Sequence, residues 1–196
     1  NGNWLRGDIL GLLCADALNI KALAVPVSCN TAIELSNKFE HVKRTKIGSP
    51  YVIAEFAQLA QQFKSVAGFE ANGGFLLGTD VILNDKQLKA LPTRDAMLPA
   101  IMLLAAADKD VISTLINALP QRFTCSDRIQ NFAKEKSQEI ISKGKADPAR
   151  LLTTLGFENV TITSVDETDG LRITLADGCI VHLRPSGNAP ELRCYA

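Results

Sequence analysis

From residue 7 to about residue 108, stretches with helical spacing and short apolar runs take turns along the chain. "GDILGLLCADAL" sets Ile9, Leu12, Leu13 and Ala17 on one helical face, and the apolar run "KALAVPV" follows it. A helix capped by Ser28 or Asn30 is expected next, running to about Phe39. Then come a short strand, "HVKRTK", and a helix, "SPYVIAEFAQLAQQF". That helix has Pro50 in its first turn and Val52, Phe56, Leu59 and Phe63 on one face. "SVAGFE" reads as a strand and "ANGG" as a turn whose glycines accept positive φ. "TRDAMLPAIMLLAAAD" reads as an apolar helix over 93–108. Such alternation confines this part to an α/β layer with a mainly parallel, mixed sheet.

Near residue 108 the pattern changes. "KDVISTLINAL" reads as a helix ending at Pro120, followed by a strand at about 121–128 and a helix around 131–142. "DPARLLTTLG" is a helix entered at Pro148 and stopped at Gly156. "NVTITSV", "GLRITLA" and "CIVHLRPS" are strand-like and joined by the turns "DETDG" and "ADG", which makes an antiparallel meander. The expected organisation is an α/β domain over 1–108 and an α+β domain over 109–196, an antiparallel sheet flanked by helices. The boundary is placed at about 108–112.

The charge balance narrows the partners. Lysines and arginines number 21, as do aspartates and glutamates. A general nucleic-acid binder needs a basic excess, so any anion must be held by a local cluster. The longest apolar run, "DILGLLCADALNIKALAVPV", is broken by Asp8, Asp16 and Lys21, so no membrane span is expected. The five cysteines are widely spaced without a C-x-x-C pair and read as buried thiols of a cytoplasmic protein. His41 and His182 have no companion at ligand spacing; they read as strand residues, and no metal site is expected.

Three groups of residues carry chemistry. "RPSGNAPELR" combines a turn glycine, a backbone able to form an anion nest, the donors Ser186 and Asn188, and the guanidinium forks of Arg184 and Arg193. Each charge-assisted hydrogen bond contributes about 1.5–3 kcal/mol, so a few would hold a phosphate in water. The alternative is a solvated hairpin whose arginines pair with Glu191 or other carboxylates. "GFEANGG" places Glu70 and Asn72 after a strand, where α/β sheets bind ligands, and a carboxylate with an amide suits vicinal hydroxyls. The alternative is a tight loop with Glu70 in solvent. "RTKIGS" puts Lys46 and Ser49 around a glycine before a helix, a possible anion contact or simply a surface lysine and an N-cap. Arg94 and Asp95 open a helix, with Asp95 favourable at its positive end.

Taken in order, these segments resemble the α-D-phosphohexomutase superfamily, in its bacterial phosphomannomutase and phosphoglucomutase branch. "RPSGNAPELR" is similar to the family's phosphate loop, Arg-x-Ser-Gly-Thr-Glu-Pro-x-x-Arg. "GFEANGG" stands where the family has its sugar-selecting loop, Gly-Glu-x-Ser-Gly-His, and "RTKIGSPYV" resembles the segment before the third-domain helix. The resemblance covers essentially the whole chain and implies the third and fourth of four domains. It implies that Arg184, Ser186, Gly187, Asn188 and Arg193 grip a substrate phosphate and that Glu70 and Asn72 bind sugar hydroxyls. Lys46, with Ser49, would lie near the reacting centre. Asn188 and Ala189 depart from the family's Thr and Glu. Asn72, Gly74 and Ser49 stand where members have Ser, His and His, which leaves the sugar and the general acid or base open.

The parent activity so implied is reversible conversion of mannose 6-phosphate and mannose 1-phosphate through an enzyme phosphoserine, with magnesium as cofactor and a hexose 1,6-bisphosphate as intermediate. Neither the serine loop nor an Asp-x-Asp-x-Asp-Arg magnesium loop is found in this sequence. "NGNWLRGD" reads as the turn and return strand of a hairpin, so the chain is expected to be a C-terminal fragment that binds a phosphosugar without turnover. Its other partners would be the N-terminal domains of the same protein. The alternatives are a phosphoglucomutase fragment and a non-catalytic phosphosugar-binding module.

Overall fold

A computed structural model describes residues 4–107 and 111–196. The chain divides into two compact units, Asn1–Phe123 and Thr124–Ala196.

In the first unit the elements run α1 (Gly7–Ala17), β1 (Ala22–Pro26), α2 (Ala32–Leu35), β2 (His41–Thr45), α3 (Ser49–Leu59), β3 (Val66–Phe69), β4 (Phe75–Leu77), β5 (Val81–Leu83), β6 (Lys86–Leu88), β7 (Leu91–Asp95), α4 (Met97–Ala107) and α5 (Ile112–Asn117). The sheet order is β2-β1-β3-β4-β7, with β2, β1 and β3 parallel and β4 and β7 antiparallel. Every residue of β1 is buried because both faces are covered. Leu23 and Val25 enter the core beneath α1 and α4, while Ala22 and Ala24 pack with Val52, Phe56 and Leu59 of α3. The result is an α/β layer with helices on both sides of a mixed sheet, as the alternation implied.

Four expectations need correction here. The helix after β1 stops at Leu35, well short of Phe39, and Asn37 takes a positive φ of 53° that a continuing helix would not allow. Asn30 does cap it: its Oδ1 accepts from the Ala32 amide at 2.7 Å. Residues 93–95 belong to β7, not to the following helix: Asp95 pairs with Phe75 of β4, and its Oδ1 accepts from the amides of Met97 and Leu98 (2.8 and 3.1 Å) where α4 begins. The hairpin of β5 and β6 was not anticipated; Asn84 and Asp85, at φ 49° and 59°, form its turn.

The fourth correction is the divide, which falls after Phe123. Residues 108–110, on which the expected boundary sat, lie outside the described residues, as do residues 1–3 of the expected opening turn. Ile112, Leu115, Ile116 and Leu119 pack on the first core. The Asn30 side-chain amide donates to the Arg122 carbonyl (2.8 Å), and Arg122 Nε donates to Thr31 Oγ1 (3.1 Å). These contacts hold residues up to 123 in the first unit.

The second unit comprises β8 (Ser126–Gln130), α6 (Lys134–Ala146), α7 (Pro148–Thr154), β9 (Ile162–Asp166), β10 (Leu171–Leu175), β11 (Ile180–Pro185) and β12 (Glu191–Tyr195). All pairings of its sheet, β8-β12-β11-β10-β9, are antiparallel. Period-two alternation sends Leu171, Ile173, Leu183 and Leu192 into one core with Ile141 and Leu152 of the helices. The opposite face carries Arg128, Arg172, His182, Arg184 and Arg193. Two starts differ from expectation. The first strand begins at Ser126, and α6 begins at Lys134 and extends to Ala146. The strand β12 was missed.

The cysteines are also not uniformly buried. Cys14 and Cys29 are, but Cys125 and Cys179 are exposed and Cys194 lies between. Cys125 precedes β8 and Cys179 sits in a surface turn, where neighbouring apolar residues do not imply burial. Among the described residues no helix is long and apolar enough to cross a membrane.

Candidate functional site

Parallel pairing decides the candidate site of the first unit. The C-terminal ends of β1, β2 and β3 share one edge of the sheet, where open α/β sheets bind ligands. Lys46 and Ser49 follow β2, and Glu70 and Asn72 follow β3, so all four reach that edge. Lys46 is exposed, with Nζ 5.8 Å from the Tyr51 ring centroid. Ser49 is the first residue of α3 rather than its cap; Gly48, at φ 133°, holds the capping position without a side-chain bond.

Glu70 is buried, so the solvent-facing alternative does not hold. The loop around it is internally tied. The Glu70 amide donates to the Gly74 carbonyl (3.1 Å), Gly73 donates to the Glu70 carbonyl (3.0 Å), and Gly74 donates to Asn72 Oδ1 (3.0 Å). Gly73 takes φ 90°, which a side chain rarely adopts. Arg94, reaching from β7, brings Nε to 3.4 Å from Glu70 Oε2. That contact is ionic and poorly angled, and Oε2 accepts no hydrogen bond among the described residues.

Asp8 anchors the same edge. It is fully buried and accepts from Arg6 Nε (3.0 Å), from the Ile9 amide (3.0 Å) and from the Asn30 amide (2.8 Å). Burying a carboxylate so completely requires partners of this kind. The ties fix α1 against the loop after β1. Sequence reasoning saw Asp8 only as an interruption of an apolar run, and it did not link Arg94 to Glu70.

The candidate site of the second unit is the β11–β12 hairpin, which holds "RPSGNAPELR". Arg184 and Arg193 are direct register partners across it. Arg184 Nε lies 3.2 Å from Asp169 Oδ2. Arg193 donates from Nε and Nη2 to Glu191 Oε2 (3.2 and 3.1 Å), the carboxylate pairing that the alternative reading foresaw. Ser186 is buried, its amide donates to the Glu191 carbonyl (2.9 Å), and its Oγ accepts from the Asn188 amide (3.4 Å). Glu191 donates to the Ala189 carbonyl (2.8 Å). Several amides of the turn are thus spent inside the hairpin, and the nest is narrower than expected. Gly187 does not take a positive φ and has open space where a Cβ would stand. It leaves room for an approaching group instead of permitting the turn.

Behind the hairpin, His182 is buried and stacks on Tyr195 at 5.2 Å, and its Nε2 lies 2.6 Å from the Asp169 carbonyl. Burial above all pushes its pKa below the ordinary histidine value; Asp169 opposes, and Arg172 and Arg184 push the same way as burial. It is a strand residue, as expected, although a buried one. Among the described residues no three His, Cys, Asp or Glu side chains gather as metal ligands.

Residues 6–123 match the family model for phosphoglucomutase/phosphomannomutase, alpha/beta/alpha domain III. The chain belongs to the phosphoglucomutase/phosphomannomutase family. A phosphomannomutase of Salmonella muenchen is 57% identical over 195 residues, which cover 100% of this chain and 41% of that protein. A phosphomannomutase of Sinorhizobium fredii is 42% identical over 200 residues, covering 99% of this chain and 41% of that protein. The chain therefore spans about two fifths of these relatives' length. The fold is shared with N-acetylphosphoglucosamine mutase of Aspergillus fumigatus, solved with GlcNAc-6P and magnesium. The TM-score is 0.55 at 13% identity, over 98% of this chain and 43% of that one. Membership of the phosphoglucomutase/phosphomannomutase family accounts for the third-domain architecture and for the antiparallel unit that follows it.

Proposed function

We propose that this chain supplies the sugar- and phosphate-recognising part of a phosphomannomutase that interconverts mannose 6-phosphate and mannose 1-phosphate. The chemistry is phosphoryl transfer from an enzyme phosphoserine, through a hexose 1,6-bisphosphate that reorients before a phosphate returns. On this reading the phosphoserine lies in the length of the relatives that this chain does not span, those N-terminal domains are its partners, and the isolated chain binds without turnover. The setting is cytoplasmic. The residues described here do not fit the magnesium ion that the family implies, so no step is routed through it.

The observation that carries this reading is Glu70 Oε2. It is a buried carboxylate oxygen at the ligand edge of the sheet, and it accepts no hydrogen bond among the described residues. Buried acceptors are ordinarily satisfied, and a sugar hydroxyl would complete this one. Asn72 adds an exposed amide beside it. Arg184, Ser186, Gly187, Asn188 and Arg193 hold the non-reacting phosphate, and Lys46 and Ser49 stand at the same edge as Glu70. Binding energy from a remote phosphate then positions the reacting oxygen.

The test is calorimetric titration of the chain with mannose 1-phosphate, beside Arg193→Ala. Millimolar or tighter binding that the substitution abolishes is expected. Equal binding by both proteins, or none by either, overturns the reading.

A further inference from the structure

The second sheet aligns three arginines. Arg184 pairs in register with Arg193, and Arg193 pairs with Arg128 of β8. Residues directly opposite in an antiparallel pair share a face, so three guanidinium groups stand in one row across β11, β12 and β8. Only Arg184 and Arg193 belong to the ten-residue loop motif. Like charges directly opposite destabilise a sheet, so the row needs an acidic neighbour to hold it.

Glu191 holds two members of the row. Its Oε2 takes Arg193, and its Oε1 lies 3.5 Å from Arg128 Nη1. The carboxylate is nearly buried, while Arg128 is about half exposed (52%). With its amide oxygen turned toward the guanidinium, Gln130 accepts from Arg128 Nε and Nη2 at 3.3 and 3.2 Å. Beside them opens a cleft of about 350 Å³ lined by Ser126, Asp127, Arg128, Arg193 and Tyr195. Arg128 is thus fixed from one side and open toward the cleft.

We propose that Arg128 is a third phosphate-holding guanidinium, positioned by Glu191, and that the row takes a phosphomonoester. This rests on the function proposed above. A phosphomonoester presents three terminal oxygens, and guanidinium forks match such oxygens in pairs. Glu191 keeps the forks in register when no phosphate is bound.

The experiment titrates the chain with inorganic phosphate and with mannose 1-phosphate, comparing wild type, Arg128→Gln, Arg128→Lys and Arg193→Ala, with urea unfolding of each. Arg128→Gln should weaken both ligands about tenfold, the loss of one charge-assisted bond. Its urea midpoint should hold, because relief from the like charge of Arg193 offsets the lost Glu191 pair; a purely structural arginine would lower it. Arg128→Lys, which keeps charge without the fork, should fall between, and it decides the matter if Arg128→Gln does not fold. Wild-type affinity in both Arg128 variants, with binding lost in Arg193→Ala, overturns the role of Arg128 and leaves the proposed function standing. Wild-type affinity in Arg193→Ala as well, or no binding by any protein, overturns both.

Discussion

Gly7 sits directly against Gly73: a Cβ on Gly7 would stand 2.1 Å from the Gly73 amide nitrogen and 2.6 Å from the Ala71 carbonyl oxygen. Both obstacles are backbone and cannot swing aside. The first residue of α1 therefore sets how closely the Glu70 loop approaches the helix. Gly7→Ala should destabilise the protein by about 1–3 kcal/mol through overpacking. It should also weaken mannose 1-phosphate binding by displacing Glu70. The urea midpoint and the calorimetric affinity check the two effects; an unchanged midpoint would mean that the loop can retreat freely.

Glu70→Gln keeps the size of the side chain and removes the charge that strengthens an accepted hydroxyl bond. Affinity for mannose 1-phosphate should fall about tenfold, while affinity for inorganic phosphate stays unchanged. A parallel loss for inorganic phosphate would mean that Glu70 acts on the fold and not on the sugar.

His182 makes stability depend on pH. In the folded chain its pKa is depressed by burial, whereas in the unfolded chain it titrates near the ordinary value of about 6.5. Between those values the unfolded state binds more protons, so this contribution is complete above about pH 6.5 and is lost as pH falls toward the folded pKa. The urea midpoint should decline from about pH 7 to about pH 5.5, and His182→Gln should flatten that decline. Matching slopes for the two proteins would exclude His182 as the source.

The thiols should react in two classes. Burial, with Asp95 adding to it, pushes the Cys14 pKa up to about 12, and burial pushes Cys29 higher still. The thiolate is the reactive form, so both should resist an aromatic disulfide reagent at mildly alkaline pH until the protein unfolds. Cys125 and Cys179, both exposed, should react within the mixing phase. Prompt reaction at Cys29 would show that the first core opens readily.

The alternation of helical spacing with apolar runs was enough to read α1, β1, β2, α3 and β3, because each buries a regular pattern. The meander β9–β10–β11 was readable for the same reason. What escaped was structure made by pairing over distance. Nothing local in "TRD" says strand; pairing with β4 makes it one. Nothing in "ELRCY" overrides the loop reading of the ten-residue motif it overlaps; β11 and β8 do that from both sides. At the site, Glu70 and the loop arginines were visible as residue types following strands. Arg128 and Arg94 were not, because each gains its meaning only from a register partner or an ion pair far along the chain. "SDRIQ" did carry a faint signal, since period-two alternation sets Arg128 and Ile129 on opposite faces.

β12 lies inside its sheet, between β11 and β8. β9, β10 and β11 pair with chain neighbours across short turns, whereas β8 pairs only with β12, and two helices and the whole meander separate them along the chain. Closing so long a loop is the entropically slow step of such a topology. The arginine row is complete only once it closes. In a folding molecule the face proposed to hold an anion should thus be the last part of its unit to form, and a copy that grips a phosphate there should already have finished folding.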